Sequence, residues 1–293
     1  MSGKDISEKM LISCNDVFAD IINHYFFNGE DVVKEEELEQ ASEFSGYKEE
    51  GELHEIRRDE LKNWRKQKLR ISAFGIENQS KAEREMPIRI MGYDGATYRN
   101  QMKDEDPFYP VYSLVLYFGK THWSGNRKLS DVVEFHEEYR DALTEKFNDY
   151  KINVMEVAFL SDEEVKSFKS DFKLVAEYFV NRRKNPQYTP SPDVIKHVDE
   201  VLTLLRVMTG DDRYEQMINE EKGVKPKNMC EVLDYRENKG RAEGRKEGRT
   251  EGITEEKRKV ALQLKKRGFD DEIIREILES DDEELQQLLS TEG

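Results

Sequence analysis

Apolar side chains recur at helical spacing along residues 11–28, LISCNDVFADIINHYFFN, where Val17, Phe18, Ile21, Ile22, Tyr25 and Phe26 share one face. Asn15 is placed to cap this helix and Gly29 to stop it. The acidic run EDVVKEEELEQASEF (30–44) reads as surface helix or loop. Strand character follows around Leu53 to Asp59 and again over KLRISAFGIE (68–77). A third run, PVYSLVLYFG (110–119), carries Val111, Leu114, Val115 and Leu116 with no charge among them, the pattern of a strand buried on both faces. Between the last two lies EMPIRIMGYDGATYRNQ (85–101), an amphipathic helix with Pro87 in its first turn.

YKINVMEVAFL (150–160) predicts a fourth strand, and Ser161 with Glu164 makes a capping box for a helix over 161–181. The alternation of strands and helices is that of an α/β fold. After Pro186, Pro190 and Pro192, residues 191–210 predict one more apolar helix. The composition then becomes charge-rich, which divides the chain into a body, 1–225, and a tail, 226–293. In the tail, Gly240, Gly244, Gly248 and Gly252 recur every fourth residue. On a helix they would form a bare stripe, each costing about 1 kcal/mol relative to Ala; a helix that forms against a partner and a flexible charged linker both fit. Two short amphipathic helices broken at Gly268 end the chain, and their many acids favour protein contact over DNA contact.

No apolar run approaches the ~20 residues that span a bilayer, and the first residues lack a signal-peptide core. The expectation is a cytoplasmic protein without membrane contact. Cys14 and Cys230 stand far apart without ligand spacing, as two reduced thiols would. The five histidines form no cluster, so neither a zinc site nor a histidine base is expected.

The net charge of −16 works against a phosphate-binding surface, but it hides one basic stretch. Residues 56–70, IRRDELKNWRKQKLR, hold Arg57, Arg58, Lys62, Arg65, Lys66, Lys68 and Arg70 against Asp59 and Glu60 alone. The strand that follows ends in Glu77-Asn78-Gln79. Side chains alternate along a strand, so Glu77 and Gln79 point one way and Asn78 the other. If 53–59 and 68–77 are neighbours joined by the basic hairpin, Asp59 and the Glu77/Gln79 pair converge at one end of the sheet. Two such acids, with the backbone carbonyl of Asn78 between, suit Mg²⁺, which prefers hard oxygen ligands. An ordinary amphipathic edge strand shows the same residues, and a solvated hairpin the same basic run. Asp16 and Asp20, one turn apart, either extend the acidic cluster or are surface acids.

The stretch RRDELKNWRKQKLRISAFGIENQSKAEREMPIRIMGYDGATYRNQ (57–101) resembles the core of the Rpn family of recombination-promoting nucleases and putative transposases. NDVFADIINHYFFNGE, YPVYSLVLYFG and INVMEVAFLSDEEVKSFKSDFKLVAEYF extend the likeness, and the glycine-period tail is similar to C-terminal extensions in that family. The resemblance implies a restriction-endonuclease-like PD-(D/E)XK core, a mixed sheet flanked by helices, with an α-helical C-terminal extension. It implies a Mg²⁺-dependent DNA endonuclease tied to recombination or mobile elements, with Mn²⁺ as a substitute metal. Strand-transfer chemistry is implied by the family's label alone.

Carried over, Asp59 and Glu77 are the metal carboxylates, with Glu60 or Glu55 as alternatives for the first. Gln79 stands where the superfamily motif has Lys and orients water by hydrogen bonding alone. Arg57, Arg58, Lys62, Arg65, Lys66, Lys68 and Arg89 would follow the DNA backbone, while Arg89, Tyr93 and Gln101 could reach the phosphate or orient Glu77. Two-strand cleavage would call for a homodimer, with the 240–290 tail as the contact. Gln79 and the acidic balance also motivate a second reading, a nuclease-fold module that binds DNA or protein without cutting.

Overall fold

The computed structural model describes residues 9–41, 44–49, 52–103, 107–185, 190–219 and 225–290, with 9–10, 44–49 and 52–57 described by backbone alone. In chain order the elements are α1 (Lys9–Ser13), α2 (Asn15–Phe26), β1 (Leu38–Gln40), β2 (Phe44–Glu49), β3 (Glu52–Arg57), β4 (Glu60–Lys66), β5 (Leu69–Gln79) and α3 (Met86–Gln101). Then come β6 (Val111–Tyr117), α4 (Arg140–Lys146), β7 (Asn153–Glu156), α5 (Asp162–Ser167), α6 (Phe172–Lys184), α7 (Val198–Thr209) and α8 (Arg213–Asn219). The tail holds α9 (Met229–Lys266), α10 (Asp271–Leu278) and α11 (Asp282–Ser290). The chain resolves into two compact units, Met1–Val232 and Leu233–Gly293.

A five-stranded mixed sheet, in the order β1-β4-β5-β6-β7, is the frame of the first unit. β1, β4 and β5 run antiparallel; β5, β6 and β7 run parallel. The parallel pair β5–β6 needs a crossover, and α3 supplies it. α3 buries Met86, Ile90, Tyr93, Asp94, Thr97 and Gln101, one face at helical spacing. Of these, Met86, Ile90 and Tyr93 form an apolar layer on one side of the sheet with Val115, Tyr117, Trp123, Ile152 and Val154. The other side is covered by α2, with Phe26 against Phe74, and by α6, with Phe179 against Phe118. α6 buries Phe172, Leu174, Val175, Ala176, Tyr178, Phe179 and Val180, so it is enclosed on most sides.

The mixed α/β body and its helical C-terminal region match expectation, and α3 and β6 lie where the periodicity puts them. The strand pairing differs. β3 pairs with β2 in a separate two-stranded sheet, and the segment taken for a basic hairpin is itself strand β4. Leu61 and Trp64 bury against the sheet while Arg65 and Lys66 reach outward, so the count of charges concealed a strand. The acidic run contributes the edge strand β1. The predicted helix over 161–181 divides into α5 and α6, because residues 168–171 form a link whose amides of Lys169 and Ser170 donate to Asp20 at 2.8 and 2.7 Å. Asp16 pairs with Lys196 at 2.7 Å. Neither acid joins a cluster with Glu77.

In the tail, α9 runs unbroken through the glycine repeat, as a helix and not as a flexible linker. A Cβ at Gly244, Gly248 or Gly252 would meet no atom within 4 Å. Gly268, at φ +84°, ends the turn after α9, and the chain then makes two further helices. Ala261, Ile274, Leu278, Leu285 and Leu288 form their shared core.

One glycine in the sheet is set by close approach. A Cβ on Gly75 would lie 1.6 Å from Nη1 of the buried Arg58. Gly75→Ala is expected to destabilise the protein by about 1–3 kcal/mol through overpacking, whereas Gly95→Ala on α3, which has open space around it, should stabilise by up to ~1 kcal/mol. Urea unfolding of both variants beside wild type measures the contrast; equal effects would remove the packing argument.

Candidate active site

Antiparallel pairing sets Glu60 opposite Ile76, so Asp59, one residue earlier, stands opposite Glu77. The two acids are locked by reciprocal backbone bonds. The Asp59 amide donates to Glu77 Oε2 at 3.3 Å, and the Asn78 amide donates to Asp59 Oδ2 at 2.8 Å. Glu77 is 1% exposed. Gln79 Nε2 donates to Glu77 Oε1 at 3.5 Å, which puts both side chains on the α3 face as alternation requires. The Asn78 side chain is buried on the opposite face.

Asp59 owes its position to its neighbour. Arg58 is buried and donates through Nη2 to Asp94 Oδ1 of α3 at 2.5 Å, with its guanidinium 5.3 Å from the centre of the Tyr93 ring. Asp94 also accepts from Ser113 Oγ at 2.5 Å and from the Tyr150 hydroxyl. A buried ion pair with its remaining lone pairs satisfied is held firmly, and removing one partner costs about 3–5 kcal/mol.

Arg89 reaches the acids from α3. Its Nη2 donates to Glu77 Oε1, Nη1 donates to Glu83 Oε2 at 3.2 Å, and Nε donates to the Tyr93 hydroxyl at 2.9 Å. Burial first, and then the Asp59 carboxylate, push Glu77 up to about 8; Arg89 and the Asp59 amide oppose this without cancelling it. Burial and Glu77 together push the Tyr93 phenol up to about 12. Glu77 thus sits where its negative charge is under-compensated, the condition a bound cation relieves. Hard carboxylate oxygens, a carboxamide and no sulfur make a donor set that fits Mg²⁺ or Mn²⁺. Arg89 occupies one of the Glu77 oxygens and would have to give it up.

The remaining predicted residues are spread over the fold. Arg58 is consumed by Asp94. Lys62, 2% exposed, donates to the Ser13 carbonyl at 2.9 Å and to Gln40 Oε1 at 3.2 Å, so it serves the interior and not a surface. Glu60 faces Lys62 at 3.5 Å, away from Asp59. Arg65 pairs with Glu39 at 2.8 Å, and Lys66 lies 5.4 Å from the centre of the Trp64 ring. Lys68 is exposed in the β4–β5 turn. The side chains of Arg57 and Glu55 lie outside the described residues. Gln101 braces the backbone of Tyr109, donating to its carbonyl at 3.1 Å and accepting from its amide at 3.0 Å.

The β4–β5 turn and Glu77 occupy opposite ends of β5, separated by eight residues from Leu69, roughly 26 Å of extended chain. The basic residues 65–70 are therefore remote from the two acids, because a hairpin folds its turn to the far end of the strand. At the carboxyl ends of β5 and β6, where α/β sheets bind ligands, the structure instead has a cavity of about 350 Å³ lined by Lys81, Lys120, Arg182 and Arg183, with no acid among its lining residues. It lies on the α6 face, since Phe118 and Phe179 also line it. These four cations are scattered over a hundred residues, and no local run signals them.

Compared with known proteins, residues 73–209 match the family model described as putative transposase, YhgA-like. The matched segment begins in β5 and ends with α7, so it includes Glu77, Gln79, Arg89 and Tyr93 but not Asp59. No curated protein and no solved structure matches the chain significantly.

The Glu77 shift carries a sign. Its carboxyl stays neutral in the folded protein up to about 8, whereas in the unfolded chain it ionises near its ordinary value. Its contribution to stability is thus present below pH 4.5 and is lost as pH rises through 8. In EDTA, the melting temperature of wild type is expected to fall relative to Glu77→Gln as pH rises from 5 to 8.5. A constant gap between the two curves would refute the elevated pKa.

Proposed function

We propose that this chain, which belongs through residues 73–209 to the YhgA-like family of putative transposases, is a metal-dependent DNA endonuclease of the PD-(D/E)XK kind. The observation that carries the reading is the pair Asp59 and Glu77, each held by the backbone amide beside the other at the end of the mixed sheet. A divalent cation bound there would acidify a water and offset the charge of the scissile phosphate. The protein's own residues do the rest. Asp59 and Glu77 would hold the cation, with the Asn78 carbonyl as a further ligand, and the Gln79 carboxamide would orient the attacking water without carrying charge. Arg89, once released from Glu77, is free to pair with a phosphate oxygen. Water adds to phosphorus as one ester oxygen departs and takes up a proton.

The DNA backbone is assigned to the cationic cavity at the strand ends. Lys81, Lys120, Arg182 and Arg183 supply point charges and forks suited to phosphates, with positioning rather than base readout as the result. The hairpin 65–70 is too remote to hold the same stretch of backbone at the acids.

One observation favours a second reading, a nuclease-fold module that binds without cutting. Arg89 already pairs with Glu77, and together with Gln79 this would leave a site that never takes a metal. The two readings separate on one assay: plasmid nicking at low salt with Mg²⁺, Mn²⁺ or EDTA, by wild type and Glu77→Ala. Metal-dependent nicking that disappears in the folded variant is expected, and undiminished nicking by Glu77→Ala would sink the assignment. No nicking by wild type, with no thermal stabilisation by either metal, would establish the binding module.

The DNA path has its own test. Charge reversal at Lys81 and Lys120 is expected to weaken duplex binding at least tenfold at 100 mM salt and flatten its salt dependence. The same reversal at Lys66 and Lys68 should change it less than twofold. The opposite ranking would return the DNA to the hairpin.

A further inference from the structure

Cys14 and His197 are 183 residues apart in the chain, and the fold sets Cys14 Sγ 3.6 Å from His197 Nδ1. A Glu200 oxygen completes a group whose three ligand atoms all lie within 4.8 Å of one another. We propose that Cys14, His197 and Glu200 form a Zn²⁺ site, separate from Asp59 and Glu77, that clips the start of α2 to the start of α7.

Geometry supports the assignment first. In a tetrahedral site with Zn–S ≈ 2.3 Å and Zn–N ≈ 2.05 Å, sulfur and nitrogen stand about 3.6 Å apart, which is the spacing found here. The second support is the outer partner. His197 Nε2 lies 3.0 Å from both carboxylate oxygens of Asp16. A carboxylate on one ring nitrogen holds the proton there and leaves the other nitrogen's lone pair for a metal, the arrangement common to zinc-bound histidines.

The backbone around both ligands is pinned. Asp171, itself buried, accepts from the amides of Lys196 and His197, the latter at 2.6 Å. Lys62 holds the carbonyl of Ser13, next to Cys14. Cys14 and His197 each precede the first turn of a helix, and Glu200 lies in the first turn of α7. The backbone amides there favour anionic ligands.

The donor chemistry selects the metal. One sulfur, one imidazole and one carboxylate suit Zn²⁺, whereas the all-oxygen environment at Glu77 suits Mg²⁺. With three protein ligands, a fourth position is left for water.

The test uses the full chain, stripped of metal and titrated with Co²⁺ and then Zn²⁺. Wild type is expected to show a near-ultraviolet thiolate-to-cobalt charge-transfer band that Zn²⁺ quenches at one ion per chain. Cys14→Ser should lose the band, while Cys230→Ser and Glu77→Ala keep it. Asp16→Asn retains all three ligands and should bind Zn²⁺ about 10- to 100-fold more weakly, which keeps the proposal testable if Cys14→Ser does not fold. Absence of the band in wild type, its loss in Cys230→Ser alone, or full affinity in Asp16→Asn would each overturn the site.

Discussion

The buried ion pair between Arg58 and Asp94 is the constraint on which the geometry of the candidate site depends. It ties the segment entering β4 to the crossover helix α3, across the face of β5. The guanidinium lies over Gly75 so closely that no side chain fits beneath it, and Ser113 and Tyr150 complete the hydrogen bonds of Asp94. Desolvating both charges is costly unless the network is complete. Here the hydrogen bonds of Asp94 join the segment entering β4, the strand β6 and the segment before β7 to the second half of α3. Asp59, next in sequence to Arg58, then has little freedom, and sheet register sets it opposite Glu77.

This arrangement explains how two acids come to share a site. Left to itself a carboxylate as buried as Glu77 would be avoided, and a second one beside it makes matters worse. The fold supplies two backbone amides and Arg89 as partial compensation. The remaining imbalance is held in place by the stability of the sheet and of the Arg58 network. Strained electrostatics of this kind collects at sites that bind or react, and here it lies in a protein whose segment 73–209 matches a family of putative transposases.

Sequence periodicity made the body of the fold legible because α3 and β6 follow a single rule each. Ile90, Tyr93, Asp94 and Thr97 repeat on one helical face, and Leu114, Val115 and Leu116 read as buried on both sides. β4 was hidden because an antiparallel strand near a sheet edge can carry charge at nearly every position. Lys62 keeps its ammonium satisfied in the interior, while Arg65 and Lys66 reach solvent. The shared face of Glu77 and Gln79 is legible from alternation, whereas the choice of Asp59 as their partner rests on the family resemblance. Arg58 is not legible, since a basic residue in a basic run suggests a surface until its partner, thirty-six residues later, is known. Lys81, Lys120, Arg182 and Arg183, like Cys14 with His197, meet only through tertiary structure, and no spacing rule spans such separations.

Arg89 gives the site its remaining logic. Bound to Glu77 and Tyr93, it offsets part of the cost of ionising Glu77 without bringing that carboxyl down to its ordinary range. Its side chain is 38% exposed, much more open to solvent than the acid it holds. Releasing it therefore costs less than moving Glu77 would, since a guanidinium that already meets water regains hydration on leaving. On the nuclease reading, Arg89 would give up Glu77 to a cation held by Asp59 and Glu77, and its freed guanidinium would be available to the phosphate. The same charge then serves two states in succession. Gln79, being neutral, adds no second cation beside Glu77, whose Oε1 it shares with Arg89.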